Sequence, residues 1–185
     1  MRDIEDVMRD LVHVLNELDI KYVIVGGMAV NCWGNIRTTR DIDVIIDLKD
    51  VNSFVRKMKE KGFMVKMEEV KKAMEEKSHF TIFDREYLFH IDVEGVYGKR
   101  EIESIERRIG IEIDGMKIYV ASPEDVIANK LLFGLEQDMR DAESIYVRQK
   151  GKIDADYLEK RCMELGVHKE YKEMIERVKK YMGEI

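Results

Sequence analysis

The chain has 185 residues, 45% hydrophobic and 38% charged, with a formal net charge of −6. That balance fits a packed globule and excludes a disordered chain, and the acidic excess argues against a protein held to nucleic acid by bulk electrostatics. Two cysteines far apart, Cys32 and Cys162, with no Cys/His cluster, argue against a structural zinc. The charged start and the lack of a long apolar run predict a cytoplasmic protein without a membrane span.

Ile4, Val7, Met8, Leu11, Val14, Leu15 and Leu18 recur at helical spacing and predict an amphipathic helix over 3–19. The run Tyr22-Val23-Ile24-Val25 predicts a buried strand, ended by a turn at Gly26-Gly27. Residues 28–33 suit a short helix with Gly34 as its C-terminal cap, residues 35–40 a polar loop, and residues 42–48 a second strand. Val51, Phe54, Val55 and Met58 line one face of a helix over 51–61, stopped by Gly62. Residues 63–67 suit a strand, and the polar stretch 68–77 is compatible with a helix or a loop. Strands are expected at 80–83 and 87–93, around the turn Asp84-Arg85-Glu86. Alternation on both sides of Asp114-Gly115 predicts a hairpin over 111–118. Ser122 as cap, Pro123 in the first turn and Asp125 three residues on then open a helix. The remainder reads as helical, with breaks at Gly151 and near Gly166. This order describes an α+β domain over 1–121 followed by a helical region over 122–185.

The stretch 26–46 carries the chemistry. Side chains at i and i+2 of a strand share a face, so Asp41 and Asp43 project together while Ile42 turns to the other side. Asp92, in the apolar stretch Leu88–Val96, joins them if the two strands pair. Carboxylates so placed repel one another unless a cation lies between them, and hard oxygen donors favour magnesium. Gly26-Gly27 lets the backbone approach a phosphate, with helix N–H groups as donors. Arg37 and Arg40 suit phosphate charge, and Thr38 or Thr39 adds a hydroxyl. Each feature alone has a plainer meaning: two solvated aspartates, a common turn, surface salt bridges between Arg37, Arg40 and the aspartates. The combination points to a nucleoside triphosphate held with its metal.

Gly26-Gly27 with Arg37, Thr39, Asp41 and Asp43 resembles the signature of the nucleotidyltransferase (DNA polymerase β-like) superfamily. The segment from Ser122 to Ile145, with Lys130 and the pair Asp138 and Asp141, resembles its AbiEii-like branch, which includes the MenT-like toxins. The resemblance implies a nucleotidyltransferase fold, with a mixed sheet flanked by helices and then a C-terminal helical part. It implies an enzyme that transfers a nucleotide with release of pyrophosphate. Asp41, Asp43 and Asp92 would bind Mg2+ or Mn2+, with Asp92 also helping to deprotonate the acceptor. Gly26, Gly27, Arg37, Thr39 and Arg40 would contact the triphosphate. Lys130 would reach the nucleotide phosphates, and Asp138 would have a structural or catalytic role. The acceptor is RNA such as tRNA, a protein hydroxyl or a small molecule, and a toxin role would bring a cognate antitoxin as partner. The branch often places a basic residue shortly before its acidic pair, where this chain has Leu135-Glu136-Gln137.

From the residues alone, Lys130 is also compatible with a snorkelling helix lysine, and Asp138 and Asp141 with solvated positions paired to Arg140 and Arg148. His90 shares the face of Asp92, though a plain sheet position is the commoner outcome. Trp33 suits a core or helix-end place.

Overall fold

The computed structural model describes residues 2–86 and 88–183. Helix α1 (Ile4–Glu17) starts at Asp3, whose carboxylate accepts from the Asp6 N–H while the Asp6 side chain returns the bond. This satisfies donors that the first helical turn leaves open. Strand β1 (Tyr22–Val25) follows, then helix α2 (Gly26–Trp33) and strand β2 (Asp41–Ile46). Next come helices α3 (Val51–Glu60) and α4 (Met67–Glu76), strands β3 (His79–Phe83) and β4 (His90–Gly95), and helix α5 (Lys99–Glu106). The hairpin of β5 (Ile109–Ile113) and β6 (Met116–Val120) precedes helices α6 (Pro123–Phe133), α7 (Glu136–Arg148), α8 (Ala155–Glu164) and α9 (His168–Met182).

The chain forms two compact units. The first comprises Met1–Met28 and Thr38–Ala121, the second Ala29–Arg37 and Ser122–Ile185. The first holds a six-stranded mixed sheet in the order β3-β4-β2-β1-β6-β5. Strand β1 runs antiparallel to β2 and parallel to β6. Strand β2 runs parallel to β4, and β3 and β5 close the two edges by antiparallel pairing. Ile42, Val44 and Ile46 on β2 and Ile91 and Val93 on β4 are buried, while Asp41 and Asp43 on β2 and His90, Asp92 and Glu94 on β4 are half-buried; Ile45, on the polar side of β2, is buried as well. Period-two alternation thus gives the central strands an apolar face for the core and a polar face for chemistry. In the second unit, α6 packs against α7, α8 and α9, with Leu131, Ile145, Leu158 and Met174 buried. Among the described residues, no helix is long and apolar enough to cross a membrane.

Several expectations are corrected. Gly26-Gly27 is not a turn before a helix but the first turn of α2 itself. Gly34 has no left-handed backbone; a Cβ there would stand 2.5 Å from Ser144 Oγ, so close packing rather than capping explains it. Residues 63–67 contribute only an isolated bridge, Met64 with Phe83, and the polar stretch that follows is helix α4. Strand β4 starts at His90 rather than at 87, and Tyr87 lies outside the described residues. Asp84 ends β3 instead, its buried carboxylate accepting from the Glu86 and Phe89 N–H groups. Helix α5 was not expected, because its polar stretch Lys99–Glu106 holds only two isoleucines. A third helical break lies at Gly134, whose φ of 69° caps α6 in the left-handed region.

Candidate functional site

Strand pairing decides which carboxylates meet. In the parallel pair of β2 and β4, Asp41 lies opposite His90 and Asp43 opposite Asp92. All four side chains are half-buried and share the polar face of the sheet. On the other side of β2, Asp43 lies opposite Val25, the residue just before α2. Two aspartates two residues apart on β2 and a third beside Asp43 on β4 therefore share one face, near the start of α2.

Each carboxylate has a specific seat. Thr39 donates its hydroxyl to Asp41 Oδ1. Thr81, opposite Asp92 in the β3–β4 register, donates its hydroxyl to Asp92 Oδ1 at 2.6 Å. His90 Nε2 stands 3.5 Å from Asp92 Oδ2, longer than an ordinary hydrogen bond. Asp43 lies against the backbone of Gly26: a Cβ on Gly26 would fall 1.8 Å from Asp43 Oδ2. Gly26 has φ of 59°, a left-handed conformation that a glycine takes without steric cost. Its missing side chain is thus needed twice, for the backbone angle and for the carboxylate beside it.

The same face continues to Glu94 on β4, which Arg100 on α5 engages as an ion pair. Burial pushes the Glu94 carboxyl above its usual range, and Arg100 offsets part of that. Arg40 is exposed, and its carbonyl accepts from the His90 N–H at 3.2 Å.

The donor set suits a hard divalent cation: carboxylate oxygens from Asp41, Asp43 and Asp92 in neighbouring register positions. Among the described residues, no three His, Cys, Asp or Glu groups are gathered as a ready-made metal cage. Ions that keep several waters and share substrate phosphates need only one or two carboxylates, so the fit rests on the adjacent pair Asp43 and Asp92 rather than on a closed cage.

The second unit holds a different cluster. Lys130 on α6 is buried, and its ammonium lies 2.6 Å from Asp138 Oδ1 and 3.2 Å from Asp141 Oδ2. Arg37 reaches the same Asp141 Oδ2 through Nη2 at 3.2 Å and Nε at 3.3 Å. Gln137 donates to Asp141 Oδ1 at 2.8 Å. Asn31 holds the Arg37 backbone from both sides, accepting from its N–H and donating to its carbonyl, each at 2.9 Å. Lys130 does not snorkel to solvent, and Asp138 and Asp141 are not solvated. Arg140 pairs with Glu136 instead, and Arg148 donates to Asn35. Arg37 is engaged with Asp141. The Trp33 carbonyl accepts from Gln149 at 2.9 Å.

Sequence reasoning passed over Asn31, Thr81 and Gln137 and left Asp141 without a role. An Asp at i+3 from Asp138 on a helix beginning at Glu136 signals a shared face. The places of Asn31 and Thr81 depend on chain segments far apart and carried no local signal.

Similarity to known proteins adds the rest. Residues 2–182 match the family described as "Nucleotidyltransferase of unknown function (DUF6036)". No curated protein matches the chain. The fold is similar to that of the lincosamide antibiotic adenylyltransferase LnuA, solved with lincomycin bound. The TM-score is 0.54 and the identity 16%, over 76% of this chain and 94% of that one. It is also similar to ANT(2″)-Ia in complex with adenylyl-2″-tobramycin, with a TM-score of 0.58 and 12% identity over 88% and 97%. A third likeness is to an antigenic nucleotidyltransferase-like protein from Paracoccidioides brasiliensis, with a TM-score of 0.54 and 18% identity over 97% and 94%. At these identities the likenesses concern the fold: a mixed sheet with flanking helices, as nucleotidyltransferases have. The family match spans nearly the whole chain, and the chain belongs to this nucleotidyltransferase family.

Proposed function

We propose that the chain is a divalent-metal-dependent nucleotidyltransferase that moves a nucleoside monophosphate from a nucleoside triphosphate to an acceptor hydroxyl. The observation that carries this reading is the register that sets Asp43 beside Asp92, with Asp41 on the same sheet face. Asp41, Asp43 and Asp92 are the groups that would hold magnesium or manganese. A cation bound there supplies neutralising charge for the polyphosphate. The acceptor oxygen forms a bond to the α-phosphorus, and the bond from that phosphorus to the leaving pyrophosphate breaks. The hydroxyl proton passes to Asp92 Oδ2, the oxygen that Thr81 does not engage.

Gly26 and Gly27 open α2, and backbone N–H groups of a helix's first turn suit phosphate oxygens. Thr39 orients Asp41, and the exposed Arg40 adds positive charge. Lys130, with Asp138 as partner, is the phosphate contact that the AbiEii-like resemblance implies. A phosphate oxygen would there replace one of its two carboxylates.

A small hydroxylated acceptor is the reading we favour. The net charge of −6 repels a polyanionic acceptor, and the folds of LnuA and ANT(2″)-Ia serve antibiotic acceptors. The spacing of Lys130, Asp138 and Asp141 supports a second reading, an RNA-directed toxin with a cognate antitoxin.

The test is incubation with labelled nucleoside triphosphates and Mg2+, offering aminoglycosides and lincosamides, cellular RNA and protein in separate arms. Label on a small molecule is expected, and label on RNA alone would favour the second reading. Asp41→Ala and Asp43→Ala should each lower transfer by roughly 10²–10³-fold, the scale for removing a group that stabilises transition-state charge. Circular dichroism should show both variants folded. Full transfer by both would end the mechanism.

A further inference from the structure

Thr81 lies on the edge strand β3, directly opposite Asp92 on β4. Directly opposed residues in an antiparallel pair have Cβ atoms about 4.5–5.5 Å apart, close enough for side chains to bond. Its hydroxyl lies 2.6 Å from Asp92 Oδ1, the short distance of a hydroxyl donating to a carboxylate. A hydroxyl has one proton to give, and here it is committed to one oxygen of one aspartate. Threonine is also stiff at χ1, so the donor is held in place by its own β-branched shape.

Asp92 needs such a hold because Asp43 is its register neighbour across the parallel pair. Two carboxylates side by side turn away from each other unless something anchors them. Thr81 anchors Oδ1 from the edge of the sheet, which leaves Oδ2 directed away from that bond. His90 faces Oδ2 only at 3.5 Å. Asp41 is held in a like way, since Thr39 donates to its Oδ1. Asp41 and Asp92 thus each have a threonine anchor.

We infer that Thr81 is a positioning residue of the transfer site, setting the rotamer of Asp92 so that one oxygen is presented to the cation and acceptor. This rests on the proposed reaction at the same carboxylates. Groups that orient metal ligands typically contribute about 10–100-fold to metal affinity or activity.

Thr81→Val keeps the branched shape and removes the proton, and Thr81→Ser keeps the proton and removes the methyl. Manganese binding to the full chain, followed by calorimetry without nucleotide, gives a readout independent of turnover. Thr81→Val should weaken manganese affinity and lower kcat by about tenfold each, with the KM for the acceptor little changed. Thr81→Ser should restore both. Equal losses in the two variants would overturn the inference, since packing and not the proton would then matter. Unchanged manganese affinity and kcat in Thr81→Val, with Asp92→Asn inactive, would overturn it too. An Asp92→Asn variant with full activity would instead remove the proposed reaction on which it rests.

Discussion

Two aspartate clusters, one in each unit, are held in different ways. In the first, Asp41 and Asp92 are half-buried and take their donors from threonine hydroxyls, while Asp43 lies against the bare backbone of Gly26. In the second, Asp138 and Asp141 are 8% and 3% exposed and receive Lys130, Arg37 and Gln137. Burial sets the difference. A carboxylate taken out of water needs donors that go with it, backbone N–H groups for Asp84 and the cations Lys130 and Arg37 in the second cluster. A carboxylate at a wet sheet face can keep its charge with neutral donors alone and meet a cation that arrives later. The first pattern leaves a polar face that suits the proposed site, and the second joins α6, α7 and the loop at Arg37 through Lys130, Asp138 and Asp141.

The sharpest way to break this contrast is to delete one aspartate from each unit. Asp141→Ala leaves Lys130 with one carboxylate and Arg37 with none of its contacts to Asp141. Loss of one member of a buried ion network costs about 3–5 kcal/mol, so its denaturation midpoint should fall steeply. Asp43→Asn relieves repulsion with Asp92 and should leave stability within roughly 0.5 kcal/mol of the parent. Equal losses in urea titrations would erase the distinction.

Gly26→Ala tests the seat of Asp43. The left-handed backbone costs a non-glycine residue about 1–2 kcal/mol, and the new Cβ displaces the carboxylate. Adding Asp43→Ala removes the two closest clashing atoms, leaving a Cβ–Cβ approach of 2.9 Å, and does not remove the backbone cost. The double variant should therefore be more stable than Gly26→Ala yet still less stable than Asp43→Ala, by thermal melts.

A separate effect comes from alkali. Burial pushes the Tyr22 phenol of the first unit from 10.0 to about 12, and the Cys162 thiol of the second from 9.0 to about 12. Both folded values are raised, so their contributions are intact below the unfolded values and decline as pH rises toward 12. Near pH 11 the loss should be about 1 kcal/mol for Tyr22 and about 2–3 kcal/mol for Cys162. Urea midpoints at pH 8 and 11 should draw closer in Tyr22→Phe and in Cys162→Ala than in the parent. Midpoints as far apart as in the parent would show that other groups govern the alkaline loss.

Much of the architecture was legible from local pattern. The strands at Tyr22–Val25 and Asp41–Ile46 follow β-branched runs, and Asp114-Gly115 turns the hairpin with both residues at positive φ. Ser122 caps α6 by accepting from the Asp125 N–H, as its place before proline suggests. Helix α5 and the break at Gly134 were harder to see. A short polar helix lacks a long apolar stripe, and Gly134 follows Leu131, Leu132 and Phe133, whose apolar run hides the stop. Residues 63–67 have strand-like composition but make one bridge only, because tertiary context outweighs weak strand propensity.

Local pattern was enough for the α+β order, the shared face of Asp41 and Asp43 and the assignment to nucleotidyltransferases, though not for the branch within them, because alternation, capping and motif spacing act between residues close in the chain. Long-range packing was needed to set Asp92 beside Asp43, to make Thr81 its donor and to bring Arg37 and Lys130 together on Asp141. Those partners come from segments that meet only after strands pair and helices pack, and no local rule chooses among the many charged residues available.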